Sequence, residues 1–333
     1  MEVVGTVRKA TKCSSVCRAL AVLCLLASAV GAQTLLTYDP YAGEFPVGIA
    51  VDKVGNVWVS LQYICQVRRY TPDWQESLRL NLLSTAECVG WGGAGGLAVD
   101  ATGAAYVAVS TASPDTRGVY KIEPWGHIRR LPGTGQMTYA NSLAFDHNNG
   151  TLYVTDFDLG AVWRIPDGRP AELWIQSPVL EGIALWPGGP RLGANGIAVH
   201  QGYVIVSVSS PTRLVRIPIG QHGSAGAPEI LVSTAALVSA GVFALDDIAL
   251  DVFGNVYAGA VMPSAVVRMS ADGSQIAIVA GPVQGVTASA LSLAFGTGKG
   301  ERQSVFVAMC QGFYGTGCGV VRIDAGVPGR PLP

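Results

Sequence analysis

One short phrase recurs six times along this chain, and few folds can accommodate it. It reads GIAVDKVGNVWV from Gly48, GLAVDATGAAYV from Gly96 and SLAFDHNNGTLYV from Ser142. It returns as GIAVHQGYVIV from Gly196, DIALDVFGNVYA from Asp247 and SLAFGTGKGERQSVFV from Ser292. The copies follow one another at intervals of roughly fifty residues, a period that, filled with short strands, predicts a β-propeller. Each copy holds a first strand, a tight turn at Gly55, Gly103, Gly150 or Gly254, and a second strand with alternating apolar residues. A third strand follows (QVRRY, GVYKI, AVWRI, RLVRI, AVVRM, GVVRI) and then a weaker fourth. The last copy stops after its third strand. The segment TLLTYD from Thr34 to Asp39 can supply the missing one, closing the ring and hiding its edges. The expected fold is therefore all-β: a six-bladed propeller of four-stranded blades, closed by the N-terminal strand and occupying residues 33–333.

Residues 1–32 stand apart. Arg8, Lys9, Lys12 and Arg18 precede an apolar run from Ala19 to Val30 and a small-residue cleavage site at Val30-Gly31-Ala32, which reads as a secretory signal peptide. The rival is an uncleaved anchor. No other stretch is apolar enough to span a membrane, so the expected mature protein is secreted, extracellular and free of the membrane. The leader carries four of the 22 basic residues and one of the 23 acidic ones, leaving 18 against 22 and a formal charge of −4. That balance offers nothing to nucleic acid. The predicted state is a monomer, and no protein partner can be named.

Four cysteines remain after the leader: Cys65, Cys88, Cys310 and Cys318. An even number suits an oxidising compartment, and three connectivities are open to them. Cys65 with Cys88 and Cys310 with Cys318 would pin loops on one face. Asn149-Gly150-Thr151 is a glycosylation acceptor as well as an Asn-Gly turn. The third strands carry Arg69, Lys121, Arg164, Arg216, Arg268 and Arg322 at one equivalent place. A residue present in every blade serves the blade, its stem packed and its charge solvated.

Function is sought where the copies disagree. A propeller's first strand lines the central channel, so the residue two before the repeated Ile or Leu sits at the channel mouth. In order these are Val47, Gly95, Asn141, Asn195, Asp246 and Leu291. Three successive blades thus present Asn, Asn and Asp, and Glu44 lies just upstream of the first position. Carboxylates and amide carbonyls converging on one point form a hard-oxygen site for Ca²⁺ or another divalent cation, and the absence of His and Cys there disfavours zinc or copper. The alternative is that these residues only cap strand entries.

The phrases ANSLAFD, ANGIAV and LDDIALD, with GEFPV around Glu44, resemble the ligand-bearing blades and opening motif of the regucalcin/gluconolactonase family. That family, also known for its senescence-marker-protein members, is related to paraoxonases and strictosidine synthases. The resemblance implies a metal on Glu44, Asn141, Asn195 and Asp246 that polarises a lactone or ester carbonyl, with Asp246 or Asp247 as acid/base. Asp156 is expected to be a strand-end residue. Three departures accompany the likeness. The second blade begins GGAGGLAVD, without the family's sugar-reading Arg-x-Asn-Asp-Gly segment. Gly95 stands where paraoxonases place a His, and Leu291 where strictosidine synthases place a Glu. Two expectations follow: a calcium-dependent lactone or ester hydrolase, or a non-catalytic binding propeller with a structural metal.

Overall fold

The computed structural model describes residues 32–88, 92–311 and 317–330. Most of the expected leader, residues 1–31, lies outside them. The described chain forms six four-stranded antiparallel sheets, one per sequence copy. Their innermost strands are Pro46–Val51, Gly93–Val99, Ala140–Asp146, Ala194–His200, Ala244–Leu250 and Ala290–Phe295. Strand Gln33–Thr37 pairs antiparallel with Gly319–Asp324 and completes the last blade, Gln33 opposite Arg322 and Thr37 opposite Gly319. The ring is closed between the two ends of the chain, as the truncated sixth copy predicts.

The hydrophobic core is divided among the crevices between neighbouring blades. Trp58 and Val67 of the first blade, for instance, pack with Leu97, Val99 and Val107 of the second. The repeated I-A-V phrase suits this geometry. Ile49 and Val51 turn into the crevice with the last blade, while Ala50, between them, turns into the crevice with the second. Ala98, Ala144, Ala198, Ala249 and Ala294 occupy the equivalent place, so each inner strand offers bulk to one neighbour and a small side to the other.

Two other repeated features prove to be structural. Asp52 accepts from the N–H groups of Val54 and Asn56, and Asp100 and Asp251 do the same for their own hairpins, so the Asp of the phrase is turn chemistry. The third-strand cations face aromatic residues across the strand pair. Arg69 lies 5.2 Å from the Trp58 ring, Lys121 5.4 Å from Tyr106 and Arg216 5.4 Å from Tyr203. Arg164 pairs with Glu172, Arg216 with Glu229 and Arg322 with Glu301. Asn149 is exposed and bonds Asp146 through its amide while accepting from the Thr151 N–H, which is the expected turn.

Both disulfides join the pairs that would pin the loops: Cys65 with Cys88 and Cys310 with Cys318. No helix among the described residues is long and apolar enough to cross a membrane. The Cys65–Cys88 bond spans 23 residues of sequence and joins the first blade to the approach of the second. Replacing both cysteines by Ala is expected to lower stability by about 3 kcal/mol through the larger entropy of the unfolded chain. Urea denaturation followed by tryptophan fluorescence checks this, and an unchanged midpoint would contradict it.

Candidate functional site

Each inner strand breaks its pairing at the slot that sequence comparison of the blades singles out. Ala140 pairs with Asp156 and Leu143 with Val154, so Asn141 and Ser142 stand opposite Thr155 alone. Asn195 and Gly196 likewise face Ser207, Asp246 and Asp247 face Gly259, and Gly95 and Gly96 face Ala108. Val47 and Leu291 are the extra residues of the first and last blades. A β-bulge re-aims side chains that a regular strand would send alternately into the two crevices. That is why Asn141, Asn195 and Asp246 gather at the channel mouth.

A bulge also frees backbone groups, and hydroxyls facing it take them up. Thr155 Oγ1 accepts from the Ser142 N–H (3.0 Å) and donates to the Asn195 carbonyl (2.5 Å). Ser207 Oγ accepts from the Gly196 N–H (2.8 Å) and donates to the Asp246 carbonyl (2.5 Å). Ser60 repeats the pattern between Gly48 and Gly95. Each hydroxyl thus ties one blade's bulge to the slot residue of the next. Sequence reasoning passed over these three residues. Their signal was present: a hydroxyl at one fixed place in otherwise apolar second strands.

The slot side chains form a connected set. The Asn141 amide donates to Asn195 Oδ1 (2.7 Å), and the Asn195 amide donates to Ser209 Oγ (2.8 Å). Asn195 also hydrogen-bonds the Asp246 carboxyl. Burial and the neighbouring Asp247 charge push the Asp246 pKa up to about 8, and the Asn195 bond opposes them. Asp247 occupies the next level of the channel. It accepts from Ser142 Oγ (2.8 Å), Ser292 Oγ (2.6 Å) and the Ile248 N–H (2.9 Å). The Ile197 N–H adds a further bond. Burial raises this carboxyl too, and its four donors oppose that rise. Gly196 makes the arrangement possible, because a Cβ there would lie 2.6 Å from Asp247 Cα.

Two of the expected site residues have partners that the sequence did not indicate. The Asp247 carboxylate is held by four donors in the channel wall. Glu44 is engaged outside the slot set. Its carboxylate pairs with Arg68 and accepts from the Asp39 N–H (3.1 Å). Burial alone would raise the Glu44 pKa, but these bonds hold it below the usual carboxylate range. The sequence placed Glu44 near the mouth, and only the fold shows that Arg68, on the third strand of the first blade, captures it. Asp156 has a larger part than a strand end. It is wholly buried and accepts from the N–H groups of Thr138 (2.8 Å) and Tyr139 (2.9 Å), and from the Trp163 indole (3.2 Å). It thereby positions the segment that delivers Asn141.

Aromatic side chains flank the polar set. Tyr139 packs at a tilt against Phe157 (ring centroids 5.4 Å apart), and Tyr63 against Phe45 (5.0 Å). Burial raises the Tyr139 phenol pKa, and the charges of Tyr63 and Asp246 raise it further, which places all three groups within electrostatic reach. Among the described residues no cluster of three His, Cys, Asp or Glu side chains suits a metal. The set here is two amides and one carboxyl.

No protein-family model matches the sequence, and no curated protein matches it. Solved structures do. A gluconolactonase from Xanthomonas campestris superposes with a TM-score of 0.62 at 16% identity, covering 92% of this chain and 93% of its own. A luciferin-regenerating enzyme gives 0.62 at 12% identity, covering 91% and 96%. Virginiamycin B lyase from Staphylococcus aureus gives 0.53 at 14% identity, covering 88% and 98%. The chain shares the fold of these enzymes. At such identities the likeness is one of architecture, and activity has to be argued from the mouth itself.

Two predictions follow from this geometry. Ser207→Ala leaves the Gly196 N–H and the Asp246 carbonyl without their hydroxyl and is expected to cost about 2 kcal/mol in urea unfolding. A loss below a few tenths would show that the relay is dispensable. Folded Asp246 keeps its proton up to about pH 8, whereas an unfolded aspartate loses it near ~4. The folded state therefore binds more protons between those values, and stability in the presence of chelator falls as pH rises through that window. Asp246→Asn removes this slope. Thermal melts from pH 5 to pH 8 in chelator should show wild type declining more steeply, and parallel profiles would contradict the assignment.

Proposed function

We propose that this chain is a secreted, calcium-dependent hydrolase of lactone or ester bonds, working at the mouth formed by Asn141, Asn195 and Asp246. The observation that carries the reading is the run of oxygen-bearing side chains on three successive bulges, backed by a second carboxylate. Asp246 lies beside a second carboxyl, Asp247, and a cation at the mouth would be favoured by the pair. The donors present fit calcium, which accepts neutral amide oxygens together with carboxylate and completes its shell with water. Held by Asn141, Asn195 and Asp246, a calcium ion would supply Lewis acidity to a substrate carbonyl.

The protein's own residues account for the rest. Asn141 and Asn195 orient their oxygens through the hydrogen bond between them and through Ser209. With its own proton displaced by the cation, Asp246 would take the proton of the attacking water and return it to the departing alkoxide. Tyr63, Tyr139 and Phe157 form an aromatic side to the mouth, suited to an apolar acyl or aryl portion rather than to a polyhydroxylated sugar. Support comes from the shared fold with a gluconolactonase. The leader at residues 1–32 and the two disulfides support secretion.

A second reading, a binding propeller that keeps a structural metal, is favoured by one observation. Val47, Gly95 and Leu291 leave half of the mouth without polar groups, and Glu44 is held by Arg68. The purified protein decides between them. Elemental analysis should find calcium near one equivalent per chain, and a panel of aliphatic lactones and aryl esters should reveal turnover that chelator abolishes. Asp246→Ala should lose the metal and reduce turnover at least about a hundredfold. Turnover untouched by that substitution would refute the assignment, and bound calcium with no turnover across the panel would establish the binding reading.

A further inference from the structure

The channel continues beyond Asp247, away from the mouth, as a cavity of about 190 Å³. Its walls come from the lower halves of all six inner strands and include Val99, Phe145, Val199, Leu250 and Phe295. Asp247 marks its inner end, with its carboxylate already satisfied by the serines and N–H groups described above. An apolar cavity of ~150 Å³ is large enough to take up benzene, so this one is large enough for a short aliphatic chain.

The outer end holds a cation. The segment Pro328–Arg330 lies against the fifth and sixth blades there, fixed by backbone bonds from Val252 to Pro328 (3.1 Å), Gly329 to Arg302 (2.9 Å) and Arg330 to Leu250 (2.9 Å). Gly329 lies so close to Phe295 that an added Cβ would fall 2.1 Å from its Cβ. The segment is thus a built part of the fold. The Arg330 guanidinium donates to the Val199 carbonyl and lines the cavity beside His147 and Thr297. Among the described residues no carboxylate lies within ion-pairing distance of Arg330. Asp146 acts on it from further away and is itself engaged by Asn148 and Asn149. A half-buried guanidinium at the rim of an apolar chamber, with most of its five donors not taken by Val199, is matched by a carboxylate.

We propose that this end of the channel binds a short aliphatic monocarboxylate, its chain among the inner-strand side chains and its carboxylate on Arg330. The predominantly apolar side chains of the wall and the single cation suit a ligand with one charged head and an apolar tail. The site is separate from the mouth, with Asp247 between them, and does not rest on the function proposed there.

Isothermal titration of the full mature chain with octanoate, with 1-octanol as neutral control, tests it. Octanoate should bind wild type and Asp246→Asn alike, and octanol more weakly. Arg330→Met keeps the stem but removes the charge, and it should weaken octanoate at least tenfold while Arg330→Lys retains part of the affinity. No octanoate binding to folded wild type would overturn the proposal, as would equal affinity in Arg330→Met or loss in Asp246→Asn, which would place the ligand at the mouth. Should Arg330→Met fold poorly, carbon-13 NMR of carboxyl-labelled octanoate on wild type reads the same contact. A carboxylate on Arg330 titrates below its free value, and an unshifted titration counts against the site.

Discussion

The bulge in each innermost strand is the constraint from which the rest of this site follows. A regular strand of six or seven residues would send alternate side chains into the two crevices and leave nothing for the channel mouth. One extra residue per blade breaks that alternation at the same level all round the ring. The break leaves backbone donors and acceptors to be satisfied in a buried place. Ser60, Thr155 and Ser207 supply that satisfaction, and each joins its own blade to the next. Blade-to-blade packing and the geometry of the mouth are thus maintained by the same hydroxyls.

Electrostatics at the mouth divides two adjacent carboxyls by their partners. Asp247 sits deeper and is surrounded by donors that oppose the rise burial imposes on it. Asp246 has one amide and a charged neighbour, so its proton is held to about pH 8. The pair stores a demand for positive charge on one side of the channel only. At the far end the polarity is reversed: the chamber's side chains are mostly apolar and its one guanidinium lines it. Asp247 and its serines separate the two environments, which is why one propeller channel can present two unlike ligand surfaces.

Much of this was readable in the residues. Six copies gave six blades, the truncated copy gave the closing strand, and the slot Val47, Gly95, Asn141, Asn195, Asp246 and Leu291 marked the mouth, because equivalent positions in a repeat can be compared one with another. The partners of Glu44 and Asp247 were not legible in the sequence for a common reason. Glu44 precedes the first copy and Asp247 shares its position with glycine and serine, so proximity along the chain had to stand in for direction. Direction depends on partners distant in sequence: Arg68 for Glu44, and Ser142 and Ser292 for Asp247. Arg330 was overlooked because it lies outside the repeat, in a tail with no periodicity to locate it.

The sequence by itself determined the number of blades, the strand order within each, the closure of the ring and the level at which polar residues enter the channel. All of these follow from short-range periodicity and from counting. The tertiary structure alone decided which carboxyl is free to meet a ligand, which is locked in the wall, and that an arginine from the tail stands at the far opening. Those outcomes depend on contacts made when six blades meet about one axis, and no local pattern encodes them.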